Sequence, residues 1–173
     1  MKKVVIPAVA GIIVILAAAA VGQQFTHIGA QKCAMCHKTE KQGQQYGKWQ
    51  ASLHSRSHDA LTSPQGAQAG QAMGVAQPAE DPKCLGCHAP LAAKAPEFKA
   101  EGVTCEVCHG PGSAYKTLSI MKNRAEAAKN GLIVYPNAEA VKAHCLTCHE
   151  NAHGKSFDFA AAIEKIKHPV PKA

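Results

Sequence analysis

Cys33-Ala-Met-Cys36-His37, Cys84-Leu-Gly-Cys87-His88, Cys105-Glu-Val-Cys108-His109 and Cys145-Leu-Thr-Cys148-His149 decide the fold of this chain. Each is a C-x-x-C-H run, and together the four use all eight cysteines. Two thiols three residues apart, followed at once by an imidazole, are the attachment signature of c-type haem. The thiols add across the two porphyrin vinyl groups, and the adjacent histidine lies under the iron as proximal axial ligand. Zinc sites and thioredoxin-like centres also use C-x-x-C pairs, yet neither needs a histidine after every second cysteine. Ten of the 173 residues are His, so four such placements by chance have a probability of roughly one in a hundred thousand. A disulfide framework would explain the even cysteine count but not the histidines. The reading is four covalently bound haems c, with His37, His88, His109 and His149 as proximal ligands.

Upstream of the first motif, residues 1–22 read as an export segment. Lys2 and Lys3 supply a positive start, Val4 to Val21 is uncharged and apolar, and the small residues Ala17 to Gly22 offer a cleavage site before Gln23. The apolar run is long for a signal peptide and only just long enough to span a bilayer, so a cleaved signal and an N-terminal membrane anchor are both open. Either places residues 23–173, read as one tetrahaem cytochrome domain, outside the cytoplasm: periplasmic or extracellular, and membrane-bound only if the segment stays uncleaved.

That domain has about 151 residues, or about 38 per haem, too few to build a protein core independent of the cofactors. Only eight aromatic residues are present in the whole chain. The haems must therefore form the core, and the apoprotein is expected to be largely unfolded, as where cofactor binding is coupled to folding. The formal charge of +7 overstates the positive balance. Without Lys2 and Lys3 it falls to +5, and with each ferric haem contributing about one negative charge the oxidised domain sits near +1. Nothing in that balance asks for nucleic acid, which needs a localised basic face.

Along the chain, Lys48 to Leu61 reads as one helix with Trp49, Leu53, Ala60 and Leu61 as its buried stripe, and with His54 and His58 at i, i+4 on one face. Ser63 to Pro82 reads as a loop or weakly helical excursion. Gly110-Pro111-Gly112 stops the helix of the third motif. Lys116 to Asn130 looks helical up to the Asn130-Gly131 stop, and Leu132 to Tyr135 is the one strand-like run. Asn137 caps a helix into the fourth motif, and Asp158 to Lys167 is an amphipathic helix ended by His168-Pro169. The fold class is mainly α with much irregular loop: a compact multihaem c-type cytochrome.

Iron ligated on both faces suits electron transfer, because nothing must bind or leave when its charge changes. Six histidines remain for the distal faces: His27, His54, His58, His144, His153 and His168. Methionine is the rival ligand, and Met73 and Met121 are the available ones, Met121 read as core packing on a helix.

Four stretches resemble the tetrahaem cytochrome c-554 family: Ile28-Gly29-Ala30-Gln31-Lys32-Cys33-Ala34-Met35-Cys36-His37; Trp49-Gln50-Ala51-Ser52-Leu53-His54; Gly102-Val103-Thr104-Cys105-Glu106-Val107-Cys108-His109-Gly110-Pro111-Gly112; and Phe157-Asp158-Phe159 leading to Ile166-Lys167-His168-Pro169. The third is the most specific. The resemblance implies a mostly helical periplasmic electron carrier with haems in close pairs. It also implies His54 as distal ligand of haem 4 and His168 as distal ligand of haem 3. In the family, haem 1 takes its distal histidine from shortly after the third motif. Here that stretch reads Gly112-Ser113-Ala114-Tyr115-Lys116-Thr117-Leu118, and no histidine follows until His144. The resemblance further implies that haem 2 can be five-coordinate. His144, His58, His27 and His153 are the remaining candidates for haems 1 and 2.

The function expected is electron transfer in periplasmic or extracellular respiration between a redox-protein donor and acceptor, by a chain that is not an enzyme. A reductase of nitric oxide or nitrite at an open haem, with Tyr115 or a spare histidine as proton donor, is one alternative. Self-association into a conducting filament through His27 or the C-terminal tail is another. The apolar start before four haems would also suit an anchored quinol oxidase subunit, which the Gly-Pro-Gly run fits poorly.

Overall fold

The computed structural model describes residues 24–169. The segment read as signal or anchor lies outside them. Among the described residues there are short helices joined by loops and turns, with no strand. Leu132 to Tyr135 is extended loop, tied back where the Ile133 N–H donates to the His109 carbonyl at 3.0 Å. No helix among the described residues is long and apolar enough to cross a membrane.

The chain begins with α1 (Ala30–His37) and α2 (Gln45–Ala51). A 3-10 turn at His54–Arg56 leads to α3 (Ser57–Thr62). The single helix expected from Lys48 to Leu61 is therefore broken at Ser52, whose backbone is extended. The cause is local. Ser52 Oγ donates to the Trp49 carbonyl at 2.7 Å and Ser55 Oγ to the Gln50 carbonyl at 2.9 Å, the kind of hydroxyl back-bonding that competes with a helical ladder. His54 and His58 consequently do not share one helix face. Leu53, assigned to the buried stripe, is 79% exposed, while Leu61 is buried.

Next come α4 (Pro64–Ala72) and α5 (Pro82–His88). The first is a proper helix where a loop or weak helix was expected. Ser63 Oγ accepts from the Gly66 N–H at 3.0 Å, and Pro64 occupies the first turn, where its missing N–H costs nothing. A 3-10 segment (Pro96–Glu101) precedes α6 (Cys105–His109). The helix expected over Lys116 to Asn130 is two pieces, α7 (Leu118–Met121) and α8 (Arg124–Lys129). They divide at Asn123, which leaves helical geometry to cap the second piece through the Glu126 N–H at 3.1 Å. Finally α9 (Ala138–His149) is capped by Asn137 at 2.9 Å, and α10 (Phe159–Ile166) by Asp158 at 3.1 Å. The Asn137 cap sits where the sequence placed it, and Asp158, read as the start of its helix, is the cap before it.

Polypeptide alone contributes little interior. The buried apolar residues among those described are nine, and five of these are alanine. Leu61, Val75, Leu91 and Tyr115 are the others.

Candidate functional site

All four motifs are helical, and in each the motif histidine is the last residue of its helix: His37 of α1, His88 of α5, His109 of α6 and His149 of α9. The helical repeat explains the spacing. Positions i, i+3 and i+4 share a face, so one helix turn presents two thiols and an imidazole on the same side. A chain that stops being helical there leaves room beyond that face.

Three of the motif histidines are met by a second imidazole from elsewhere in the chain. His149 faces His54 with ring centroids 6.1 Å apart and planes at 43°. His109 faces His168 at 5.8 Å and 39°. His88 and His153 stand 6.1 Å apart at 72°. Two iron–nitrogen bonds of about 2 Å each set opposed imidazole centres about 6 Å apart. The spacing fits one iron between each pair, so the residues present suit an axially ligated haem at these motifs. Direct stacking would bring the rings closer, as at His149 and Phe157, whose centroids are 4.6 Å apart at 13°.

The protonation states agree. Burial, then the neighbouring His149, lowers the pKa of His54. Burial pushes His109 down to about 4, with His168, His37 and His144 adding smaller effects. Burial likewise lowers His168. A neutral imidazole is the form that offers a lone pair to a metal. The other ring nitrogen is steered by its surroundings, as metal-binding histidines require: His88 Nδ1 lies 2.8 Å from the Ser57 carbonyl, and His37 Nδ1 3.4 Å from Gln45 Oε1.

The motifs also sit beside one another in twos. The Cys105 thiol, hydrogen-bonded to Cys33, is the main influence holding the Cys33 pKa up, while Cys33 lowers that of Cys105. The pKa of Cys87 is raised by burial and then by nearby Cys148. Motifs 1 and 3 are thus neighbours, and so are motifs 2 and 4. Burial, then Cys145 and Cys148, pushes Cys108 up to about 11, which joins the two sets. Beside His109 lies a cavity of about 390 Å³ lined by Met121, Leu132, Ile133 and Tyr135 among others. Met121 is therefore a wall of that apolar space.

A set of buried polar groups holds these helices in place. Glu106, 2% exposed, accepts from the N–H groups of Ile28 at 3.0 Å, Gly29 at 2.8 Å and Gly112 at 2.7 Å. Glu101 accepts from Ala30 N–H at 2.9 Å and from Thr104 Oγ1 at 2.8 Å. Helix α1 has glycine at its N-cap and no side-chain cap of its own; these two carboxylates take that role from across the fold. Gly102, at φ 67°, has no room for a side chain, since a Cβ there would lie 2.5 Å from Ser57 Oγ and 2.6 Å from the His54 carbonyl. This close approach lets Val103 N–H donate to the His54 carbonyl at 3.0 Å, while Trp49 Nε1 donates to the Val103 carbonyl at 2.8 Å. Ser57 Oγ lies 2.8 Å from both the His54 and His88 carbonyls. The Tyr115 hydroxyl donates to the Gly110 carbonyl at 2.9 Å, and burial raises its pKa; it braces the turn after the third motif.

Sequence reasoning missed Glu106 and Glu101. A signal existed: of the four x-x gaps, only the third carries an ionisable residue. Of the remaining histidines, His144 stands beside Tyr135 with centroids 5.5 Å apart. His58 keeps Nε2 buried without a hydrogen-bond partner. His27 precedes Ile28 on the strand of chain that Glu106 holds. None of the facing pairs among the described residues includes His37.

Residues 32–110 match the family model described as Cytochrome c554 and c-prime. The chain is 26% identical over 156 residues to Cytochrome c-554 of Nitrosomonas europaea, an alignment covering 78% of this chain and 62% of that relative. It therefore spans about 62% of the length of the curated relative it matches. No solved structure matches the chain.

Proposed function

We propose that this chain, whose residues 32–110 match the Cytochrome c554 and c-prime family model, is a tetrahaem electron carrier of periplasmic or extracellular respiration. The family supports a c-type cytochrome with covalently bound haem c, working in electron transfer. The finer reading is one domain over residues 23–173, preceded by an export segment over residues 1–22. It has one haem on each cysteine pair: Cys33 and Cys36, Cys84 and Cys87, Cys105 and Cys108, Cys145 and Cys148. The observation that carries it is the approach of second imidazoles to motif histidines at the span of a single iron.

When bound, haem supplies reversible one-electron exchange at iron. The protein's part is to fix the geometry. His149 and His109 would hold their haems from the proximal side, with His54 and His168 as the second ligands. With both ligands supplied by protein, transfer would need no exchange of ligands. Burial favours the unprotonated, ligating form of His54, His109 and His168. Neighbouring motifs 1 with 3 and 2 with 4 give electrons short steps between a redox-protein donor and acceptor.

Intact-mass measurement of the exported holoprotein should find the polypeptide plus four haems. Fewer, or zinc in their place, would overturn the reading. Replacing His54 or His168 by alanine should each convert one ferric iron from low to high spin in EPR while all four haems remain attached. An unchanged spectrum in either variant would remove that histidine from its assigned place.

A further inference from the structure

The third facing pair differs from the other two in how its second histidine is delivered. His54 is fixed through its own carbonyl, which accepts from Val103 N–H at 3.0 Å and lies 2.8 Å from Ser57 Oγ. His168 is followed by Pro169, whose carbonyl accepts from Gln45 Nε2 at 2.9 Å. His153 instead lies in an exposed turn, Ala152–Gly154. That turn's backbone bonds run only between close neighbours, Gly154 N–H to the Asn151 carbonyl at 2.9 Å and Lys155 N–H to the Ala152 carbonyl at 3.1 Å.

The turn is also strained. Asn151 and His153 have φ of 52° and 53°, in the left-handed region, with Gly154 following at 70°. Glycine accepts this conformation readily, and asparagine and histidine enter it several-fold more often than other side chains, though still at a cost. Such residues persist where something else holds them, and the observed outlier is a reason to look for a role. The strained residue projects its imidazole to 6.1 Å from His88, whose Nδ1 is already engaged by the Ser57 carbonyl at 2.8 Å, leaving Nε2 to point elsewhere.

We propose that His153, carried by the turn after the fourth motif, is the sixth ligand of the haem on Cys84 and Cys87, and that it is a releasable one. The inference rests on the haem assignment above. An iron bond holds His153 in its left-handed geometry; letting go relaxes the turn. A small neutral nitrogen donor, of which free imidazole is the simplest, then takes its place one for one, with no electron transferred and no net proton change. The same release opens this haem, and neither of the two better-anchored ones, to other small haem ligands.

The test uses the oxidised holoprotein, after intact mass has established four haems. His153→Ala should turn one low-spin iron high-spin, and His153→Met should keep it low-spin while raising its midpoint potential, as methionine ligation does. Imidazole added to the wild type should replace the ligand of one low-spin iron at concentrations about tenfold below those that affect any other low-spin iron. That response should be changed in both variants. If the variants keep four haems and the wild-type low-spin signals, His153 is not a ligand. If the wild type shows no low-spin iron more open to imidazole than the rest, the ligand is not releasable. Should His153→Ala fail to fold, the methionine variant and the wild-type titration still decide. A wild type with fewer than four haems would instead sink the assignment on which this one rests.

Discussion

With all eight motif cysteines replaced by alanine, the chain will give the far-ultraviolet circular dichroism of an unfolded polypeptide, and the helical signal of the holoprotein will be gone. The expectation follows from the composition of the interior. Nine buried apolar residues, five of them alanine, cannot offset the conformational entropy of ordering a chain of this length. The helices do not rescue it. The longest among those described, α9, has 12 residues, and helices this short are marginal in water without packing. Retention of most of the holoprotein ellipticity in the cysteine-free variant would mean that the polypeptide has a core of its own, contrary to the small one described.

The second large effect is expected at Glu106. Its carboxylate is 2% exposed and is the acceptor for the N–H groups of Ile28, Gly29 and Gly112. Glu106→Ala leaves three backbone donors without a partner in a water-poor place. At about 1–3 kcal/mol for each orphaned group, with some relief from relaxation and entering water, the net loss should be about 4 kcal/mol. For a domain of this size that lowers Tm by about 10 °C. Glu106→Gln keeps the shape and one acceptor oxygen but turns an NH2 group toward backbone donors, so about half that drop is expected. The check is thermal unfolding followed at the haem absorbance, with intact mass confirming equal haem content. A change within 2 °C for the alanine variant would show that these bonds do not hold the N-terminal arm to the third motif.

Much of the architecture was legible in residue types alone. The helical class, the Asn137 cap and a helix starting at Asp158 follow from local chemistry that the structure repeats. The breaks at Ser52 and Asn123 were missed for a common reason. Periodicity of apolar residues continues through both positions, while serine hydroxyls or an asparagine cap decide that the backbone leaves the helix. At the candidate site, the motif spacing was readable because it is local, five residues on one helical face. Which distant imidazole meets which motif is a matter of tertiary placement. His54 and His168 were reached through likeness to a family, and each stands across from a motif histidine. His153 carried no such signal, since its placement depends on a left-handed turn that no residue type announces. Glu106 depends on three N–H groups, two of them nearly eighty positions away along the chain.

The facing pairs join residue 54 to 149, 88 to 153 and 109 to 168. Taken two at a time, each pair has one member inside the other's span and one outside. The polypeptide is therefore laced rather than beaded: a break in the backbone anywhere between residues 109 and 149 has all three pairs straddling it. No one or two of motifs 2, 3 and 4 can be lifted out as a contiguous module with their facing imidazoles complete, and with an iron between the members of each pair a nicked chain would still travel as one body.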